Sequence, residues 1–360
     1  MEGKPSVFLT GATGLIASYL ARVYLKKGHI VYVLARDKIK PAQERVLEIL
    51  KFWGGDIPKP VLNNLKVIKG DILYPDFGIK SKTELDEIIS DVEVIFHSAA
   101  LARLRVPVEE IRPINVGGAK NALDLALKCR RLKKFNHIST AFVVGKKKNT
   151  DFSEDMLDIG QGFNNTYEQT KYEAEVLTKD YAKKGLNISI FRPSMVMGDS
   201  ISGRTNDFRL FYEPLHIFSL GIYKEFPGDI NCFQNFINID SVAEAISLLG
   251  MEEEAGTYHI VSPKESTLGF FIDTAEEYFG YKMPKFIPAG EFSLDKLSPV
   301  LRTLAEPYIP YFNYNTRFAS EKTQAALKKY GFEYPKIDKE NLLRIFAYCA
   351  KKGFIKQFFP

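Results

Sequence analysis

Tyr167 and Lys171 stand four residues apart, and on a helix two such side chains share a face. A free phenol ionises near pH 10, roughly, which is too high for ready proton exchange at neutral pH. An ammonium beside it favours the phenolate, so Lys171 is expected to make Tyr167 a usable acid or base. Upstream, a strand ends Ile138-Ser139-Thr140. Thr140 or Ser139 can hold the carbonyl oxygen that Tyr167 protonates, although a local bond to backbone is the simpler role of either hydroxyl. Asn115, in Asn115-Val116-Gly117-Gly118, is either a helix N-cap or a side chain that positions the Lys171 ammonium through water. Together these residues suit proton transfer at a carbonyl.

That chemistry needs a hydride carrier, and residues 7–17 supply a place for one. Val7-Phe8-Leu9 runs into Thr10-Gly11-Ala12-Thr13-Gly14, and an amphipathic stretch from Leu15 to Leu25 follows at once. This strand, turn and helix open a dinucleotide-binding βαβ unit. Gly11 allows the tight turn, and Gly14 lets the backbone approach a pyrophosphate. The first helical N–H groups, at Leu15 and Ile16, then face the anion. Ala17 replaces the third glycine of the fingerprint. The glycine turn and the Tyr167/Lys171 pair together suggest an enzyme that moves a hydride with a nicotinamide cofactor.

The second strand ends Val33-Leu34-Ala35-Arg36. An acidic residue here would bind the ribose hydroxyls. Ala35 cannot, whereas the Arg36 fork can pair with a 2′-phosphate, so NADP(H) is favoured over NAD(H). A solvated strand end is the plainer role for Arg36. Asp71, before Ile72, suits either the adenine amino group or a turn. After the fourth strand, the small residues Ser98, Ala99 and Ala100 let the backbone touch the cofactor, and His97 is expected to be packed rather than catalytic.

With 360 residues the chain can bury about three quarters of the surface of its unfolded form. Apolar residues are 45% and charged residues 26%, ordinary for a soluble globular protein. The first strand starts within a few residues of Met1, so no cleaved signal peptide is expected. Cys129, Cys232 and Cys349 are widely spaced and read as reduced thiols of a cytoplasmic protein, with no metal site. The net charge of +5 is a mild excess that suits an anionic cofactor or thioester carrier as well as a solvated surface. The basic residues are dispersed, so no nucleic acid is expected as a partner.

Short apolar runs at Val7–Leu9, Val31–Leu34, Val67–Ile68, Val94–Phe96, Phe135–Ser139 and Ile188–Phe191 read as buried strands. Helical stretches such as Val116–Cys129 and Glu168–Ala182 alternate with them. The pattern predicts an α/β fold, a Rossmann-type doubly wound parallel sheet over residues 1–197. From 198 to 360 the chain turns irregular and rich in Phe, Tyr and Pro. Helices are expected near Ile239–Leu249, Leu268–Phe279 and Ser320–Tyr330, and a strand at Thr257–Ser262. This part reads as a smaller, mostly helical substrate lobe, partly interleaved with the sheet domain. Its Phe208, Phe211, Tyr212, Phe218, Tyr223 and Phe226 either line an apolar pocket or form core. Arg344–Phe359 mixes aromatics with lysines and suits a membrane surface less well than a last helix packed on its own domain. Lys146-Lys147-Lys148 reads as a solvated loop.

The pieces Thr10-Gly11-Ala12-Thr13-Gly14, Asn115-Val116-Gly117-Gly118, Ser139-Thr140 and Tyr167/Lys171 run in the order of an extended short-chain dehydrogenase/reductase, which residues 5–200 resemble. The resemblance implies a catalytic set of Thr140, Tyr167 and Lys171 with Asn115 as helper, and Lys171 on the nicotinamide ribose. A narrower likeness is to the thioester-reductase and fatty-acyl-CoA-reductase branch. It rests on Phe191-Arg192-Pro193-Ser194-Met195-Val196-Met197-Gly198-Asp199-Ser200, on the region from His97 to Ala119, and on Leu342–Ile355. Pro193, Ser194 and Val196 then join Ser139 in the expected cofactor set. Ser202 departs from the branch's usual Thr, and residues 205–320 match nothing nameable. Ala141-Phe142 after Thr140, and Ser194-Met195-Val196-Met197, point away from sugar dehydratases and nucleotide-sugar epimerases.

The resemblance thus implies an NAD(P)H-dependent reductase of an acyl thioester or related lipophilic carbonyl compound. Its partners would be a small-molecule substrate, an acyl carrier protein and, as is usual in the family, a second copy of the chain. A ketone, sterol-like or polycyclic carbonyl reductase is the alternative, and a non-catalytic NADP(H) sensor a third reading.

Overall fold

The computed structural model describes residues 4–356. Seven strands make one sheet: β1 (Val7–Thr10), β2 (Val31–Ala35), β3 (Leu65–Lys69), β4 (Val94–His97), β5 (Lys134–Ile138), β6 (Ile188–Pro193) and β7 (Thr257–Ile260). Every pairing is parallel and the order across the sheet is β3-β2-β1-β4-β5-β6-β7. β1, β2, β4, β5 and β6 are buried along their whole length, which is why their sequences show no alternation. One face is covered by α1 (Leu15–Lys26) and the helix Ala42–Phe52, the other by α2 (Gly118–Lys128) and α3 (Thr166–Ala182). The expected doubly wound α/β fold is therefore present. Strand order reverses between β1 and β4, and ligands of such sheets lie beyond the strand ends at that point.

The chain does not divide in two at residue 197. The strand read from Thr257 onward ends at Ile260 and is the outermost strand of the main sheet, paired with β6 from Ile190 to Pro193. The helix α4 (Ile239–Leu249) packs on α1: the Tyr24 hydroxyl donates to the Ser247 carbonyl at 3.2 Å, and the Lys27 Nζ reaches Glu244 at 2.9 Å. The substrate lobe is thus interrupted by residues 239–260, which belong to the sheet layers. A short parallel pair, Met195–Met197 with Phe236–Asn238, joins the two parts.

The lobe has its own core of Phe211, Phe218, Phe226, Phe271, Phe279, Leu342, Ile345 and Phe346. Of the aromatics named from the sequence, Tyr212, Tyr223 and Phe226 are buried there, and Phe208 stacks on Phe354. The final helix, Lys339–Lys351, turns Leu342, Ile345, Phe346 and Cys349 into this core, and Ile355 follows. Its apolar side is consumed by its own lobe. Phe358 and Phe359 lie outside the described residues. Among the described residues no helix is long and apolar enough to cross a membrane. All three cysteines are free and buried.

Candidate active site

Tyr167 is set by the way α3 begins. Asn165 caps the helix, its Oδ1 accepting the Glu168 N–H at 3.0 Å, and Glu168 in turn accepts the Asn164 N–H at 2.8 Å. This is a reciprocal capping arrangement, which fixes the entry angle of the chain. Glu168 is wholly buried and also takes the Tyr311 hydroxyl at 2.6 Å, so the lobe helps to hold the same turn. Tyr167 then faces the end of β5. The Thr140 hydroxyl is close enough to favour the Tyr167 phenolate. It also lies 3.5 Å from the Pro193 carbonyl and caps the following turn through Phe142 N–H.

One turn on, Lys171 is 3% exposed. Its Nζ donates to the Ile138 carbonyl at 2.7 Å and lies 3.4 Å from His137 Nε2. Burial lowers its pKa to about 8, against the favourable influence of Glu175. Burial also governs Tyr167, pushing it up to about 12. The opposing influences are, in order, the Arg209 guanidinium and the Thr140 hydroxyl, while Glu168 and Asp207 reinforce the rise. The expected lowering of the Tyr167 pKa by Lys171 is therefore not what this structure displays: low-dielectric surroundings win, and the leading positive charge is Arg209.

Asn115 is not an N-cap. It sits inside a π-helical turn, Pro113–Gly117, ahead of α2. Its Oδ1 accepts the Leu101 N–H at 2.7 Å, and its Nδ2 donates to Thr170 Oγ1 at 3.0 Å. It ties the loop after β4 to α3, beside Lys171 in sequence but bonded to neither Lys171 nor Tyr167.

The residues expected at a dinucleotide fall into two groups. Gly14, Leu15, Ile16, Ser98, Ala100, Ser139, Thr140, Tyr167, Lys171, Pro193, Ser194 and Val196 line one cavity of about 220 Å³. Thr10, Gly11, Thr13 and Ala99 do not line it; they belong to the adjoining turns. Thr10 Oγ1 accepts the N–H groups of Ser98 and Ala99, both at 3.2 Å, and meets His97 Nδ1 at 2.9 Å. His97 is packed, as expected, and burial pushes its pKa down to about 3. A Cβ at Gly11 would meet Ala99 N at 2.8 Å, and Gly11 has φ 75°, so only glycine fits. Gly14 caps α1 with no side chain, which leaves the helical N–H groups open to an anion. Ser139 Oγ and Ser194 Oγ are buried with no hydrogen-bond partner among the described residues. These orphan hydroxyls, the bare helix start and the glycine cradle all fit a dinucleotide.

Arg36 and Asp71 pair with each other, Nη1 to Oδ2 at 3.1 Å, and Asp71 Oδ1 also accepts the Leu73 N–H, as a turn residue does. Ile72 is drawn away from the cavity and packs on Gly118, where a Cβ would meet it at 2.6 Å. Arg45 was not anticipated. It stands beside Arg36, donates to the Arg36 carbonyl at 2.6 Å and reaches Thr13 Oγ1 at 3.4 Å. Its position on a polar helix face gave no sign of this.

Beyond Tyr167 the cavity continues into the lobe. Its walls there are Phe211, Phe218, Phe236, Leu268, Phe271 and Phe312. The polar Gln234 is already engaged, donating to the Tyr311 carbonyl at 2.9 Å. Asp207, Arg209, Tyr308 and Tyr311 surround the junction of the two halves. None of these four was legible, because the segments that carry them meet α3 only in the folded chain.

The L-2-aminoadipate reductase large subunit of Penicillium chrysogenum is 27% identical over 311 residues, an alignment covering 79% of this chain and 21% of that protein. The chain thus spans about a fifth of the length of this relative. Among solved structures, the terminal R domain from the myxalamid PKS-NRPS biosynthetic pathway superposes with a TM-score of 0.85 at 24% identity, covering 98% of this chain and 92% of the other. A thiolation-reductase di-domain from an archaeal non-ribosomal peptide synthetase gives 0.80 at 22% identity, covering 98% and 76%. Both are likenesses of fold. The pattern of the NAD-binding male sterility protein family matches residues 9–246, from within β1 to within α4, and this chain belongs to that family.

Proposed function

We propose that this chain is an NADP(H)-dependent reductase of acyl thioesters whose acyl group is apolar. The carrying observation is the single cavity: Tyr167, Thr140 and Lys171 stand where its glycine-cradled half meets its phenylalanine-walled half. The lining of the far half suits a hydrocarbon or aromatic acyl group, because its walls are Phe211, Phe218, Phe236, Leu268, Phe271 and Phe312. The reductase relative and the thiolation-reductase di-domain support a substrate held as a thioester, on coenzyme A or a carrier protein.

A bound NADPH would be held by the glycine-cradled half, at Gly14, Leu15, Ile16, Ser98 and Ala100, and would supply hydride chemistry at the thioester carbonyl carbon. Tyr167 gives its proton to the carbonyl oxygen, and Thr140 holds that oxygen by a hydrogen bond. The resulting hemithioacetal loses the thiol and leaves an aldehyde. Lys171, which lines the same cavity, would hold the nicotinamide ribose. Ser139 and Ser194 have hydroxyls to offer the cofactor, and Arg36 with Arg45 forms a basic pair suited to a 2′-phosphate.

The test is NADPH consumption with a panel of apolar acyl-CoAs, the same acyl groups on a carrier protein, and free ketones, with Tyr167→Phe as the control. Turnover of thioesters that vanishes in the variant is the expected result. Turnover of ketones alone would overturn the thioester reading. Tight NADPH binding with no turnover on any arm would favour a sensor.

A further inference from the structure

The wall segment from Thr205 to Glu213 is built with more care than a liner needs. Leu210 has φ 52°, in the left-handed region that a leucine seldom adopts. It is held there by its N–H, which donates to Glu213 Oε2 at 3.0 Å, and by the Tyr308 hydroxyl, which donates to the same oxygen. Asp207 N–H donates to the buried Thr205 Oγ1 at 3.1 Å. The product of this turn is the placement of Arg209. Its Nε donates to Asp207 Oδ1 at 2.7 Å, its Nη2 binds Asp207 Oδ2, and its Nη1 donates to the Ala102 carbonyl at 3.2 Å. Ala102 belongs to the loop after β4 that lines the cofactor half. Two donors of the guanidinium therefore fix it within its own segment and the third bridges from the lobe to the loop after β4, and backbone strain beside a ligand cavity is kept where a function needs the shape.

We propose that Arg209 is a positioning residue of the reaction: fixed by Asp207 and Ala102 on the wall of the cavity that Tyr167 also lines, it holds a positive charge that stabilises the phenolate left when Tyr167 gives its proton to the substrate. This rests on the reading of Tyr167 as the proton donor. The charged groups around Tyr167 are Arg209, Asp207 and Glu168, with Lys171 lining the same cavity and the Thr140 hydroxyl hydrogen-bonded to the phenol. Asp207 partly cancels Arg209, yet the attraction of Arg209 for the phenolate is the larger effect. Lys171 has its ammonium on the Ile138 carbonyl. Burial raises the phenol's pKa to about 12, and the Arg209 guanidinium is the largest influence that opposes the rise, so it lowers the cost of leaving the phenol ionised.

The experiment uses the full chain carrying ring-labelled tyrosine, followed by carbon NMR as pH rises, with Tyr167→Phe to assign the signal. No cofactor or substrate is needed. Arg209→Gln should move the onset of Tyr167 ionisation to higher pH, Asp207→Asn should move it lower, and Arg209→Lys should stay near the parent. With a working substrate, Arg209→Gln should lower kcat by about ten-fold or more while the Kd for NADPH changes less than two-fold, and Arg209→Lys should restore most of the rate. Shifts of the same sign in Arg209→Gln and Asp207→Asn, or no shift in either, would overturn the assignment. If Arg209→Gln does not fold, Arg209→Met takes its place in the titration, and the same rise is expected. A Tyr167→Phe variant that keeps its activity would instead sink the proton-donor reading, with the NMR result unaffected.

Discussion

Lys171 shows how burial sets the working range of a single residue. Its folded pKa of about 8 lies below that of the unfolded chain, so the unfolded state holds the proton more firmly. Between about pH 8 and pH 10.5 the unfolded state binds more protons, and stability rises with pH across that window. Below it the fold bears the cost of a buried ammonium, of the order of 3 kcal/mol at most. Lys171→Met should therefore raise the thermal midpoint at pH 7 and flatten the rise between pH 8 and pH 10, while abolishing reduction. Calorimetry at two pH values checks this. At the other end of the cavity, Arg36→Ala and Arg45→Ala should each weaken NADPH binding by about 10–100-fold and leave NADH nearly unchanged, as loss of a charge-assisted hydrogen bond requires. Equal losses for both nucleotides in a titration would remove the 2′-phosphate from the account.

At the scale of elements, α3 is locked to β6 by a pair that has no contact with solvent. Arg192 and Glu175 are both 0% exposed, with Nη2 to Oε2 at 2.8 Å, and Arg192 also touches His259 Nε2 on β7 at 3.2 Å. Arg192→Leu or Glu175→Gln alone should cost about 3–5 kcal/mol, because each strands a buried charge or its partner. The double variant Arg192→Met with Glu175→Leu should cost clearly less than the sum, as urea unfolding would reveal. This pair also marks what a sequence can carry. Phe191-Arg192-Pro193 was readable as a motif, but its Arg supports the helix that bears Tyr167 and does not face the cavity. Among the six strands up to residue 193, β1, β2 and β4 were the most readable because full burial writes them as nearly unbroken apolar runs. Arg45, Arg209 and Tyr311 were not readable, since their place depends on segments meeting across the fold. The strand at Thr257 was legible but its partner β6 was not, because a short strand says nothing about which sheet will accept it.

For the whole molecule, the cavity is shared between two parts that the chain threads more than once. Its apolar half should set the acyl group accepted. Phe271→Ala and Phe218→Ala should shift preference towards longer or bulkier acyl groups and cost stability of about 3 kcal/mol or more through the space they vacate. A panel of acyl thioesters of graded length, with unfolding curves alongside, measures both. The late arrival of β7 and α4 carries a further consequence for anyone who cuts the chain. A fragment ending at residue 197 would keep the glycine turn and Tyr167 but lose the strand that covers β6. β6 is buried along its length, so such a fragment would present an unprotected edge, a template for self-association. It should elute from a sizing column as aggregate, and the cofactor half of this protein is not a detachable module.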